Sequence, residues 1–536
     1  MSRRGGPTER VDAVVIGSGP NGLVAANALV DAGWSVVLLE TEDTVGGAVR
    51  SADDVTAPGF TTDLFSAFYP LAAASPVIRG LDLQDHGLQW SQAPVVLAHP
   101  LADGRVAVLE HSADDTAAGL DSFAAGDGAA WTELVAQWAD LRDPLLDALF
   151  TPFPPIRAAT RVLQRARVRG TLDLARLAVM PIRHFAQERF TGDGGPLLLT
   201  GNALHSDVPA EAAGSGIFGW LLSMLAQDVG FPVPVGGAGQ LAQALRRRFE
   251  SVGGQVRTGT RVTDVLVTGG RAIGVRTAGG TTIGARAVLA DVSAPSLYRS
   301  LLDRAVVPPR LLADLRQFRP DTPTLKLNWA LDRPVPWSAR GARGAGTVHF
   351  GVDVDGFVDY GADLTVGRAP RNPFVLFGQM TTADSSRSPA GTESAWAYTH
   401  LPSAVAGDPA VVARQVARVE EQLEELAPGF GGSVIGRLVQ SPADLESADA
   451  NLLGGSVNGG TAYLHQQLFF RPTVGLGRAE TPIAGLYLAS AAAHPGGGVH
   501  GACGWNAALS AIRDAGPWGQ VRKRLTRTAW GRILPR

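Results

Sequence analysis

The chain is predicted to be an α/β protein built on a Rossmann-like parallel sheet that binds a dinucleotide. Three observations carry this. Residues 11–40 (VDAVVIGSGPNGLVAANALVDAGWSVVLLE) run in the order strand, glycine loop, helix, strand, acid. Residues 491–510 (AAAHPGGGVHGACGWNAALS) hold a second glycine-rich loop that leads into an Ala-rich helical pattern. The chain has 536 residues, 45% of them hydrophobic, which is enough for several buried cores.

Val11–Ile16 is a short apolar run, read as a buried parallel strand. Gly17-Ser18-Gly19-Pro20-Asn21-Gly22 is a GxGxxG turn. Gly17 permits the tight turn, Gly19 lets a pyrophosphate approach the backbone, and Gly22 lets the following helix pack close. The N-terminus of that helix faces the anion. Helical spacing over Leu23–Ala32 ends at Gly33, and Ser35–Leu39 is a second buried strand closing at Glu40. A carboxylate there can accept hydrogen bonds from a ribose diol. The Gly46-Gly47 pair then lets a second backbone segment approach the same pyrophosphate, which a plain NAD fold does not require.

Further along, PVPVGGAGQLAQALRRRFESVGG (232–254) reads as a glycine turn followed by a helix. Residues 255–291 alternate in strand fashion, with glycine turns at 269–270 and 279–280. Gly236-Gly237-Ala238-Gly239 lacks both GxGxxG spacing and a preceding buried strand, so no second Rossmann unit is predicted. Pro482–Ser490 reads as a turn and a buried strand.

Composition narrows the function. A net charge of −3 and a pI near 6.4 argue against a nucleic-acid partner. A single cysteine excludes a disulfide and a CxxC redox pair. No metal-ligand spacing or Ser–His–Asp pattern stands out, so no metal is expected. The start, MSRRGGPTER, has no apolar segment behind it, and the apolar run 217–226 is too short to span a bilayer. The expected location is cytoplasmic, with the inner membrane face as an alternative. The only two lysines, Lys326 and Lys523, are read as a coding bias.

The Glu40…Gly46-Gly47 spacing resembles the FAD-binding amine oxidase and phytoene desaturase superfamily. PNGL at 20–23, Pro58-Gly59-Phe60, Ser66, Pro76, Ile78, Leu81, Leu83, His86-Gly87-Leu88 and HPGGGVHGACGWNAA at 494–508 are similar to a branch related to carotenoid desaturases and isomerases. The resemblance implies a discontinuous Rossmann-like FAD-binding domain (1–70, 232–300 and 475–515) and a mixed-sheet, helical-capped substrate domain (71–231 and 301–474). It implies FAD, held non-covalently. Gly17, Ser18, Gly19, Pro20, Asn21, Gly22, Glu40, Gly46, Gly47 and Arg50 would lie at one end of it, with the Val262 backbone against the adenine. His494, Pro495, Gly496, Gly497, Gly498, Val499 and Gly501 would lie along its ribityl and ring portion. Many relatives have Arg directly after the glycine pair, whereas here Ala48 stands there and Arg50 comes two later.

The expected activity is a FAD-dependent dehydrogenation or desaturation of an apolar, polyene-like small molecule, with oxygen or a quinone as electron acceptor. A flavin-dependent isomerase, an amine oxidase and a flavin-holding interaction protein remain alternatives. His494, His500 and Asp63 are the candidate proton-transfer groups, each with a structural alternative. Cys503 is read as a buried apolar residue or a covalent flavin attachment. Two segments suit an anionic membrane surface or, alternatively, plain solvent. Residues 151–190 carry eight arginines and two acids, and the tail 519–536 has six basic residues and no acid.

Overall fold

The computed structural model describes residues 9–519, 521 and 530. The tail 519–536, expected to be basic and amphipathic, lies almost wholly outside them. Two seven-stranded sheets organise the chain. In the first, Glu9–Ile16 lies between Val36–Leu39 and Thr282–Ala290, parallel to both. Gln255–Arg257 extends it beyond Val36–Leu39. The long strand Thr282–Ala290 forks. Its first residues pair antiparallel with Arg271–Thr277, which pairs in turn with Val262–Thr268, and its last pair parallel with Leu486–Leu488. Ala13–Ile16 and Val36–Leu39 are buried on both faces, which is why they read as continuous apolar runs.

The helix Pro20–Asp31 starts on Pro20, whose missing N–H costs nothing in the first turn, and the chain reverses at Gly33 with φ +78°. It packs against the C-terminal helix Ala502–Ala515, whose buried face is Ala502, Cys503, Gly504, Asn506, Ala507, Ala508, Ser510 and Ala511. The small side chains set the closeness of this pair. A Cβ on Gly504 would overlap the carbonyl of Asn21.

The second sheet runs in the order Val434–Gln440, Thr324–Leu331, Glu393–His400, Val375–Gln379, Ala345–Phe350, Val95–Pro100, Val106–Leu109. All its pairings are antiparallel except Ala345–Phe350 with Val95–Pro100. Every residue of Thr324–Leu331 is buried. Helices Asp127–Phe150, Ile156–Leu177, Ile182–Arg189, Gly194–Ala203 and Ser215–Val229 form a helical layer. The architecture is the α/β one expected, a Rossmann-like sheet with a mixed-sheet and helical remainder. Among the described residues no helix is long and apolar enough to cross a membrane.

Gly504→Val forces a branched side chain into a backbone-to-backbone contact and is expected to cost about 3 kcal/mol. Gly432→Ala, where a methyl meets open space, is expected to change stability by less than about 0.5 kcal/mol. Thermal unfolding of the two variants beside the parent checks this, and equal melting points would show that the helix pair is not closely fitted.

Candidate functional site

The first glycine segment leaves the parallel strand Glu9–Ile16 at its C-terminal end and enters the helix Pro20–Asp31. Glu40, at the end of the neighbouring strand, turns back onto it. Its Oε2 accepts from the Ser18 backbone N–H at 2.8 Å and from the Ser18 hydroxyl at 2.6 Å, and its Oε1 accepts from the Glu42 N–H. The backbone of residues 257–260 runs beside it, with Glu40 N–H donating to Arg257 O and Thr260 N–H donating to Glu40 O. Val262 follows two residues later, buried, in register with Thr277.

The second glycine segment lies on the first. Gly46 N–H donates to Ser18 O at 3.0 Å, and a Cβ on Gly47 would stand 3.1 Å from Gly19 Cα. Arg50 holds this segment from behind. Its Nε donates to Gly47 O and its Nη2 to Ala448 O, with the guanidinium 5.1 Å from the Phe65 ring centre. Two bonds to carbonyls make Arg50 a strap on the loop, whereas the sequence placed it only on the cofactor.

The C-terminal loop arrives at the same place through Gly504 and Asn21. It is shaped by Arg471, which sequence reasoning missed. This guanidinium is wholly buried and donates only to carbonyls, those of Ala491, Thr461, Asn458, Gly459 and Gly460. Burial without a carboxylate partner pushes its pKa down to about 10. The fork thereby joins the 458–461 turn to the strand end at Ala491, and Gly497 packs against Asn458 of that turn. The same turn is held from its other side by Asp321, which accepts from the Val457, Asn458 and Gly460 N–H groups.

His494 and His500 flank the loop. Burial pushes both down to about 4, so both are neutral at neutral pH. This favours the structural alternative that the sequence left open for both over proton transfer. His500 Nδ1 accepts from the Ala502 N–H, and the His500 carbonyl accepts from Ser75 Oγ, which makes the ring a cap for the C-terminal helix. Pro495 is half-buried and Cys503 fully buried, and the Cys503 thiol faces the carbonyls of Gly496 and Ala493. Burial pushes that thiol up to about 12, far from a reactive thiolate.

The residues around the loops fit a polar cofactor. Asn21 Oδ1, both amide atoms of Asn506 and His494 Nε2 are buried without a hydrogen-bond partner, and they sit on or beside the two loops. Buried polar atoms are ordinarily paired. A group carrying phosphates, hydroxyls and ring heteroatoms supplies the partners they lack.

Asp63 is committed elsewhere. Its Oδ2 is 2.6 Å from Arg387 Nη2, with both side chains fully buried. Its Oδ1 accepts from Ser51 Oγ and the Ala238 N–H. Beside this pair lies Lys326, on the fully buried strand Thr324–Leu331. Its ammonium donates to Asp63 O and to Asn328 Oδ1 and stands 5.4 Å from the Trp396 ring centre. Burial pushes Lys326 down to about 7, against the pull of Asp63. The sequence offered one signal for it, the scarcity of lysine, which was read as coding bias.

Asp291 was also missed as a site residue. It follows the strand Thr282–Ala290, and its Oδ2 accepts from the Gly22 N–H at 2.7 Å. The same oxygen would meet a Cβ on Gly19 at 2.7 Å, so the bare backbone of the first loop makes room for this carboxyl. Burial, with Asp449 and Glu40 nearby, pushes it up to about 8 against the Gly22 bond.

Between the unfolded Asp value near 3.8 and about 8, the folded state keeps a proton that the unfolded state loses, so this group lowers stability as pH rises through that window. Asp291→Asn is therefore expected to gain more in melting temperature at pH 8 than at pH 5, each against the parent at the same pH. A gain independent of pH would remove Asp291 from this role. Arg471→Gln, which leaves several buried carbonyls without a donor, is expected to cost about 3 kcal/mol and to lower bound flavin. A variant with parental melting point and flavin content would show that the 458–461 turn stands without it.

Over residues 21–508 the chain matches the flavin containing amine oxidoreductase family. It is 28% identical to the Rattus norvegicus pyridine nucleotide-disulfide oxidoreductase domain-containing protein 2, with 94% of this chain and 93% of that protein covered. It is 25% identical to the lycopene-forming phytoene desaturase of Pseudescherichia vulneris, with 91% and 96% covered. In fold it is similar to an oxidoreductase from Methanosarcina mazei, with a TM-score of 0.61, 16% identity, and 94% and 100% of the two chains covered. The paired glycine segments, the orphaned polar atoms around them and the match along most of its length place the chain in the flavin-containing amine oxidoreductase family, as a flavin-dependent oxidoreductase.

Proposed function

We propose that the flavin is FAD, bound non-covalently, and that the enzyme dehydrogenates a carbon centre of an apolar small molecule. The observation that carries this is the convergence of three glycine segments, at 17–22, 46–47 and 496–501, on the facing N-termini of the helices Pro20–Asp31 and Ala502–Ala515. In this reading the segments 1–70, 232–300 and 475–515 build the FAD side, and the residues between them build the substrate side.

Helix N-termini carry partial positive charge, so the first helix is suited to hold a diphosphate and the second a polar ring edge. Glu40, with Oε1 and Oε2 already oriented by Glu42 and Ser18, is placed to accept from ribose hydroxyls. Non-covalent binding is supported by the Cys503 thiol, which faces backbone carbonyls and stays protonated. When bound, FAD supplies the two-electron acceptor for a hydride. Loss of a hydride and a proton from adjacent substrate carbons leaves a double bond. Lys326 is a buried amine that burial brings near neutrality, so it can take up or release a proton there, and the Asp63 carbonyl and Asn328 Oδ1 orient it. Oxygen or a quinone is the proposed final acceptor. The relation to phytoene desaturases at 25% identity supports an apolar substrate class.

The purified protein is expected to be yellow, and acid precipitation is expected to release FAD into the supernatant. A yellow pellet would mean covalent attachment, and a colourless protein that cannot be reconstituted would overturn the reading. Glu40→Gln loses a charged acceptor and is expected to weaken FAD binding about tenfold or more, read from flavin fluorescence on dilution. Unchanged affinity would move the ribose contact elsewhere.

A further inference from the structure

We propose that the face formed by residues 156–179 docks on an anionic membrane surface. Ile156, Leu163, Val168, Leu172 and Val179 are between 50% and 80% exposed. They are a third of the fifteen exposed large hydrophobic side chains among the described residues, gathered in under a twentieth of the chain. Within the helix Ile156–Leu177, six arginines (157, 161, 165, 167, 169 and 176) stand against one acid, Asp173. Lone exposed aliphatic residues need no explanation, but a group of this kind among arginines does.

Helical spacing places the aliphatic residues together. Ile156 and Leu163 are seven apart, before the break in helical geometry at Arg167, and Val168 and Leu172 share a face after it, with Val179 just beyond the end of the helix. The buried side of the helix is Ala158, Leu174 and Leu177. Arg161 reaches Asp147 at 2.8 Å, Arg165 reaches Asp140 at 3.5 Å and Arg169 reaches Asp173 at 3.0 Å, all at exposed positions. Exposed pairs of this kind contribute little and exchange readily for another anion. Long arginine stems can lie along an apolar surface while the guanidinium stays at the headgroups. Apolar side chains ringed by cations suit phosphate-bearing lipid.

The placement of this face also serves the site. Phe150 and Phe153, at the base of the helix, lie 5.3 Å from the His500 ring and 5.7 Å from the His494 ring, against the C-terminal glycine loop. Phe153 also contacts Phe469, which is exposed together with Leu468 and Val474. Apolar side chains therefore lead from the docking face to the loop, and an apolar substrate would enter from the lipid side. That last step rests on the proposed substrate class, whereas the docking itself does not.

Flotation of the flavin-loaded protein with phosphatidylcholine vesicles, with and without phosphatidylglycerol, tests the proposal without a substrate. Binding to the anionic vesicles alone, weakened by salt, is expected. The triple variant Leu163→Ser, Val168→Ser, Leu172→Ser is expected to bind about tenfold more weakly or worse while keeping its flavin absorbance. If that variant loses flavin, Arg157→Gln, Arg161→Gln, Arg165→Gln reads the same surface through its charge, with the same expected loss. Removal of 522–536 is expected to leave binding in place. Absence of binding to either vesicle, or binding that survives both triple variants, overturns the proposal. So does a dimer that the serine variant converts to monomer, which would make a second copy the occupant. The flavin spectrum of the parent, read in the same samples, reports separately on the cofactor assignment.

Discussion

The close approach of two helix N-termini, with Gly504 lying directly on the carbonyl of Asn21, is the constraint on which the site depends. It fixes the C-terminal loop relative to the first glycine loop, although the two are nearly the length of the chain apart. Small side chains along Ala502–Ala511 permit the approach, and His500, by capping the second helix and bonding Ser75 through its carbonyl, sets where that helix begins. Arg471 completes the arrangement from outside by gathering carbonyls from the 458–461 turn and Ala491. None of these groups needs to touch substrate. They hold backbone where side chains would obstruct a cofactor.

The charges buried nearby are costly and unevenly compensated. Asp63 and Arg387 neutralise each other where neither reaches solvent, and Lys326 sits against the carbonyl of the same aspartate. A buried pair of this kind is a weak source of stability but is strongly destabilising to break. It ties the short hairpin that follows the second glycine segment (Ser51–Asp53 with Thr61–Asp63) to the 385–387 turn, and Lys326 ties the same hairpin to the second sheet. Asp291 stands against the first loop, where a protonated carboxyl is favoured over an ionised one because it is buried, with Asp449 and Glu40 also close. The site therefore mixes a strong local ion pair with carboxyls that repel one another, an arrangement suited to a polar ligand and expensive without one.

The fold was legible wherever the signal was local. The strand–GxGxxG–helix–strand–Glu40 run lies within about three residues of where periodicity and glycine turns place it, and the helix Gly239–Ser251 follows its glycine turn as read. The site was legible only as far as its backbone. Arg471, Arg387 and Asp291 carry no motif, and their importance comes from partners distant in sequence, such as Gly22 for Asp291. Lys326 was visible as a scarce residue, yet nothing in the sequence says that its strand is buried on both faces. The two readings left open for the histidines could not be separated for the same reason, since their burial is not visible in the sequence. Arg50 lies where the spacing put it, but its bonds to Gly47 and Ala448 depend on a turn at 448 that no local pattern announces.

The first sheet has a consequence for how the protein is made. Glu9–Ile16 is translated long before its neighbour Thr282–Ala290, and that strand in turn waits for Leu486–Leu488. During most of synthesis the apolar central strand has Val36–Leu39 on one side and an open edge on the other. Parallel pairing across such distances is slow and leaves edges that invite aggregation. A nascent chain of this design is a natural client for a chaperone that shields exposed strand edges until Leu486–Leu488 has been translated.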